Sequence, residues 1–317
     1  MSNTTSYQDS CQSSKKKNMI IITGATGSGK SSIAINLAKK NNGIIINADS
    51  MQIYKQIPII TAQPDEKDLS QVKHLLYGFV DIFDTKNIYS VGKYLSDLQQ
   101  TIQDIEVNEP DKIPIIVGGT MLYIDAILHG LSEMPTISED IKKEIRNKYK
   151  KKTANEIFED LKKIDKEYAK IVDKNNPQRL IRGIEVKLST GASITEFWEK
   201  NKQQSLFKNY HIKKIIVDLP REKLYERINN RFDIMLKNGA LEEARKIYDY
   251  CLRQNIRYQD IPKAIGLHEF FDYFDGKISL ETAIDKAKQL SRNYAKRQLT
   301  WHRSHYQDFE ITTSIID

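Results

Sequence analysis

The stretch that most limits what this chain can fold into is "GATGSGKS", Gly24 to Ser31, which follows the apolar run Met19 to Ile22 and leads into an apolar-periodic segment from Lys30 to Lys40. Glycines at this spacing let consecutive backbone N–H groups curl around an anion, and the start of a helix adds the positive end of its dipole. Lys30 brings a cation, and the Ser31 hydroxyl is suited to hold Mg²⁺. A strand before the loop and a helix after it are the context in which this spacing binds a di- or triphosphate, rather than serving as a plain glycine turn. Gly24, Ala25, Thr26, Gly27, Ser28, Gly29, Lys30 and Ser31 are therefore the anion-binding candidates.

Further strand-like runs follow at Gly43 to Asn47, Ile113 to Val117 and Ile212 to Leu219, with helical patterns between them at Val91 to Glu106 and Pro220 to Asn238. Strands alternating with helices predict an α/β fold, a doubly wound and mostly parallel sheet of the phosphate-loop type. From about Met134 the texture changes to helical spacing rich in Lys and Glu, in "SEDIKKEIRNKYKK", "ANEIFEDLKKID" and "PQRLIRGIEVKLSTG". We expect a disordered tail over 1–18, the first part of the core over 19–133, an all-helical insertion over 134–207, and the rest of the core with C-terminal helices over 208–317. Apolar runs fall far short of the roughly 20 residues of a membrane-spanning helix. Two cysteines, Cys11 and Cys251, supply neither a disulfide framework nor paired-Cys metal spacing, so a reducing cytoplasm is the expected location. A formal net charge of +7 permits a polyanionic partner without requiring one.

An ATP- or GTP-cleaving domain usually carries a second strand ending in an acidic residue, which organises Mg²⁺ and water. Here the best candidate, "IPIIVGGT", ends in Gly118, Gly119 and Thr120 with no carboxylate. The loop is thus free to hold a different diphosphate. Asp49, in "NADSMQIYK", lies just past an apolar strand, at the edge where open α/β sheets hold ligands. An Asp there is suited to accept a proton from an incoming nucleophile, or simply to cap the next turn.

"GATGSGKS", "NADSMQIYK", "TAQP", "VGGTMLY", "NNPQRLIRGIEV", "RINNRFDIML" with "NGALEEAR", "KAIGLHE" and "AKRQLTWHR" follow one another in an order and spacing that resemble the tRNA dimethylallyltransferases of bacterial type, from about Met19 to Arg303. The resemblance implies transfer of a dimethylallyl group from dimethylallyl diphosphate to N6 of the adenosine 3′-adjacent to the tRNA anticodon, with release of diphosphate. It further implies Asp49 as base on N6, and Thr26, Lys30, Ser31 with Mg²⁺, and Arg231 around the departing diphosphate. Ser50, Met51, Gln52 and Thr120 would surround the adenosine. Lys142 and the run Gln178, Arg179, Leu180, Ile181 and Arg182 would contact tRNA, as would Lys263, Ala264, Ile265, Gly266, Leu267 and His268. Lys296, Arg297 and Arg303 offer further RNA contacts, whereas Trp301 suits a core better than a stacking platform.

Departures from the family pattern are small: Lys142 stands where Arg is common, and Leu267 and His268 stand where an aromatic and a basic residue are common. We expect no counterpart of the zinc-finger extension of eukaryotic members, since the six histidines show no ligand spacing. Three rival readings remain open at this stage: an adenylate isopentenyltransferase acting on free AMP, ADP or ATP, a small-molecule kinase using ATP in the same loop, and a noncatalytic RNA-binding protein. A monomer is the default expectation.

Overall fold

The structure, a computed structural model, describes residues 16–85, 87, 89–200 and 205–313. Cys11 and most of the segment expected to be a tail lie outside the described residues. The tail's expected end needs correcting: Lys17 and Asn18 already belong to the first strand, paired with Tyr210 and His211, because backbone ladder bonds do not require apolar side chains.

In chain order the elements are β1 (Lys17–Gly24), α1 (Lys30–Lys40), β2 (Gly43–Asn47), α2 (Glu66–Gln71), β3 (His74–Leu75), α3 (Val91–Asn108), β4 (Ile113–Val117) and α4 (Met121–His129). Five helices come next: α5 (Glu139–Tyr149), α6 (Ala154–Ile164), α7 (Lys166–Ala169), α8 (Pro177–Thr190) and α9 (Ile194–Lys200). The chain then forms β5 (Tyr210–Val217), α10 (Arg221–Lys237), α11 (Ala240–Arg253), α12 (Leu267–Phe274), α13 (Leu280–His305) and β6 (Glu310–Thr312). Two compact units result, one formed by residues up to Ile127 together with those from Phe207, and one from Leu128 to Leu206.

The first unit is built on a six-stranded sheet of order β3-β2-β4-β1-β5-β6, parallel throughout. β1, β2 and β4 are nearly continuous runs of Ile and Val because strands covered on both faces have no solvent side on which to alternate. The α/β fold read from the sequence is thus the fold observed. β3 and β6 escaped that reading: two residues long and partly buried, and three residues long and mostly exposed, they carry no periodic signal. Ile20, Ile22, Ile45, Ile115 and Val117 pack with Ala34, Ile35 and Ala38 of α1 on one face of the sheet. A second core, built around Phe232, Phe270 and Phe271, joins α10, α11, α12 and α13 to the Ile53–Ile60 loop.

The helical unit closes on its own core of Tyr149, Ile157, Leu161, Tyr168, Leu180 and Ile184. Its helix starts are locally encoded. Thr153 and Glu156 form a reciprocal capping box, and Asn176 caps α8 ahead of Pro177. Glycine Gly183 of α8 lets Tyr168 approach, since a Cβ there would sit 2.3 Å from its ring.

Candidate active site

The phosphate loop leaves β1 at Gly24 and enters α1 at Gly29, whose φ of 91° is a left-handed conformation that disfavours any side chain. Gly29 offers no side-chain cap, so the first amides of α1 stay available to an anion. Gly27, at φ 82°, lies against Ile228 of α10, where an added Cβ would come within 2.9 Å. That helix also delivers two arginines. Arg231 Nη2 donates to Thr26 Oγ1 at 2.5 Å, and Arg227 Nη1 donates to the Ser28 carbonyl at 3.3 Å. Lys30, Thr26 and Arg231 are each half-buried. Burial lowers the Lys30 ammonium to about 8; the Asp49 charge opposes that shift and Arg231 adds to it. Three cationic groups around one loop are held apart at a cost that a bound polyanion would remove.

Asp49 stands past the end of β2 in a self-made turn. The Asn47 side chain accepts the Asp49 N–H at 2.8 Å, and Asp49 Oδ1 accepts the Met51 N–H at 2.9 Å. Asp49 Oδ2 has no hydrogen-bond partner among the described residues, so one carboxylate oxygen is open. Next to it, the Thr120 hydroxyl accepts the Ser50 N–H at 2.8 Å and donates to Ser50 Oγ at 3.2 Å. Thr120 can come this close because Gly118 has no side chain: a Cβ there would lie 2.1 Å from the backbone of Ala48. Gln52 gives both protons of its Nε2 to the Thr61 and Ala62 carbonyls, which leaves Oε1 as an acceptor.

Two cavities meet at Thr26, Asp49, Thr61 and Arg231. One, about 310 Å³, has Ile228, Phe232 and Met235 of α10 in its lining, with Lys263, Ala264 and Ile265 and with Tyr294 and Arg297 of α13. The other, about 260 Å³, contains Lys30, Ser31 and Gln52 beside Gln63, His74 and Tyr77. Burial raises the phenols of Tyr294 and Tyr77, and the Asp49 charge pushes both in the same direction, so both stay protonated donors. The Ser31 hydroxyl opens into the second cavity, and the described residues contain no cluster of three His, Cys, Asp or Glu able to cage a metal.

The structure therefore brings Gly24 to Ser31, Asp49 to Gln52, Thr120, Arg231 and Lys263 to Ile265 to one sheet edge. Other sequence candidates lie elsewhere. Leu267 packs into the aromatic core at 0% exposure, and Gly266, at φ 101°, faces Phe232. His268 is half-buried, bonds the Pro262 carbonyl and packs against Phe271. In the helical unit Leu180 is fully buried, and half-buried Ile181 packs beside it. Arg182 Nη1 pairs at 3.5 Å with Glu185, a buried carboxylate that Arg146 also holds. Lys142 pairs with Glu139 at 2.6 Å. Arg179 and Gln178 are exposed, and Arg179 forms no ion pair among the described residues. Lys296 and Arg303 are exposed on α13, while Trp301 is half-buried and stacked on His305 at 3.7 Å.

Residue-by-residue reading missed Tyr294, Gln298, Thr61 and Glu243. Their segments "AKRQLTWHR", "TAQP" and "NGALEEAR" were visible as motifs, but nothing local says which member turns inward.

The model of the IPP transferase family matches residues 52–305, and a zeta toxin model matches residues 2–76, a range that includes the phosphate loop. The tRNA dimethylallyltransferase of Ehrlichia chaffeensis is 40% identical over 292 residues, covering 92% of each chain. That of Bartonella quintana is 39% identical over 295 residues, covering 92% of this chain and 96% of its own. Among solved structures, the tRNA isopentenylpyrophosphate transferase of Bacillus halodurans is similar at TM-score 0.64 and 33% identity, covering 94% of this chain and 90% of its own. A eukaryotic dimethylallyltransferase acting on tRNA aligns at TM-score 0.77 and 28% identity, covering 94% of this chain and 75% of its own. A matching model over most of the chain, near-complete coverage by relatives and a shared fold lead to one conclusion: the chain belongs to the IPP transferase family.

Proposed function

We propose that this protein transfers a dimethylallyl group from dimethylallyl diphosphate to N6 of the adenosine 3′-adjacent to the tRNA anticodon, releasing diphosphate. One observation carries the reading: two cavities converge on Asp49, Thr26 and Arg231, so an anionic donor and a separate acceptor base meet at a carboxylate with an open oxygen. In this reading the diphosphate rests on the amides that start α1. Lys30, Thr26 and Arg231 neutralise the charge that grows as the allylic C–O bond breaks. The adenosine leaves its stack to reach the cavity. Its N6 amine becomes acidic as the new C–N bond forms, and Asp49 Oδ2 takes the proton.

The Ser31 hydroxyl, on the second cavity, would hold Mg²⁺, an ion that keeps several waters and needs no all-protein cage. Bound there, it would add positive charge against the leaving group. Exposed Arg179 of α8, with Lys142, Lys296, Arg297 and Arg303, would neutralise tRNA phosphates, and exposed Gln178 would hydrogen-bond the RNA backbone. We place the enzyme in the cytoplasm as a monomer; no helix among the described residues is long and apolar enough to cross a membrane.

The test is incubation with dimethylallyl diphosphate, Mg²⁺ and either unmodified tRNA or AMP, followed by mass spectrometry of nucleosides. Prenylated adenosine in tRNA supports the assignment. Prenylated AMP without prenylated tRNA would move the substrate to free nucleotides.

A further inference from the structure

Gln298 is a polar residue in a place where polarity is costly. It sits on α13 with 1% of its surface exposed, and its side-chain amide makes two bonds to loops far away in sequence. Its Oε1 accepts the Thr26 N–H at 2.8 Å, and its Nε2 donates to the Gly119 carbonyl at 2.7 Å. The fit is tight on the Gly119 side, where a Cβ would lie 2.5 Å from Gln298 Nε2.

Both ends of this bridge lead into the site. Thr26 is held from the other direction by Arg231, which uses its hydroxyl. Gly119 precedes Thr120, whose hydroxyl fixes the backbone of Ser50, the neighbour of Asp49. A chain of short bonds thus runs from the phosphate loop through Gln298 to the turn that carries the carboxylate. The bridge also settles the direction of one loop amide: the Thr26 N–H points to α13 and is spent there, leaving anion contact to the later amides of the loop.

We infer that Gln298 is a positioning residue, one that fixes the spacing between the diphosphate cradle and Asp49 without touching either substrate. The inference rests on the transfer reaction proposed above. Displacements of about 1 Å between reacting groups lower turnover by roughly 100-fold while leaving binding groups in place. Loss of the bridge should therefore appear in kcat and leave both affinities near their original values.

The experiment compares wild type, Gln298→Met and Gln298→Glu. Met matches Gln in length and abolishes both bonds. Glu, once ionised, keeps the acceptor for Thr26 but has no proton for Gly119; because a protonated Glu would keep both bonds, its kcat is read at the alkaline end of the assay range. In Gln298→Met, kcat for tRNA prenylation should fall at least 10-fold, the KM values for tRNA and dimethylallyl diphosphate should move less than 3-fold, and the Thr26 amide should lose its hydrogen-exchange protection. In Gln298→Glu that amide should stay protected while kcat still falls. If Gln298→Met does not fold, Gln298→Glu carries the same kcat test. Wild-type kcat in either folded variant overturns the inference, as does a rise in both KM values as large as the fall in kcat, which would mean general loosening. Wild-type protein that prenylates no tRNA would instead refute the functional reading, while Thr26 amide protection would still report on the bridge.

Discussion

At the scale of single residues, Asp49 separates structure from chemistry most cleanly. Its Oδ1 builds the turn by accepting the Met51 N–H, and Oδ2 is left for a proton. Asn can keep the first role but not the second. Asp49→Asn should retain tRNA and dimethylallyl diphosphate binding within a few-fold yet lose about 100- to 10,000-fold in single-turnover transfer. Wild-type turnover in that variant would remove Asp49 from the base role. His302 makes a second residue-scale prediction. It is 4% exposed, its Nε2 has no hydrogen-bond partner among the described residues, and burial, with Lys30 adding to it, lowers its imidazole to about 4 from an ordinary value of 6.5. Above pH 6.5 neither folded nor unfolded chain protonates this ring. Between 6.5 and 4 the unfolded chain takes up a proton that the folded chain refuses, so stability falls across that window, by about 3 kcal/mol. Urea denaturation at pH 7 and pH 4 should show that extra loss in wild type and not in His302→Gln.

At the scale of elements, helices act by bracing loops. Glu243 of α11 is 8% exposed and accepts the Ile59 and Ile60 N–H groups, both at 2.9 Å, one on each oxygen. It thereby steadies the segment whose Thr61 and Ala62 carbonyls orient Gln52. In Glu243→Gln one loop amide faces an NH₂ group. The variant should lose about 1–3 kcal/mol in denaturant titration and show faster exchange at Ile59 or Ile60. Unchanged exchange at both amides would mean that the loop holds without it. These elements differ in how openly the sequence announces them. α1, α3, α5, α6, α8 and α10 were visible because each pairs an apolar stripe with a local start signal or a proline or glycine boundary. β3 and β6 were not, being short edge strands whose existence depends on partners. Gln298 and Glu243 were hidden for a related reason: their bonds span 272, 179, 184 and 183 residues, and no window along the chain contains both ends.

At the scale of the whole molecule, the parallel sheet gathers Gly24, Asp49 and Thr120 because β1, β2 and β4 are neighbours ending on one side. That part of the site followed from motif order. Which cations stay free for RNA did not, because ion pairing is decided by the folded helices. Arg182 is committed to Glu185, whereas Arg179 forms no ion pair among the described residues. Arg179→Ala should weaken tRNA binding and reduce the slope of log affinity against log salt by about 1. Arg182→Ala should chiefly destabilise the helical unit by leaving Glu185 to Arg146 alone. Equal salt slopes in Arg179→Ala and wild type would return Arg179 to an ordinary surface role.

The most direct measurement follows both products of a single reaction: diphosphate released and dimethylallyl groups fixed on tRNA, with purified protein, Mg²⁺ and labelled dimethylallyl diphosphate and no nucleoside triphosphate. The account predicts one diphosphate for each N6-prenylated adenosine. Cleavage of added ATP with no prenyl group gained by the RNA would contradict it.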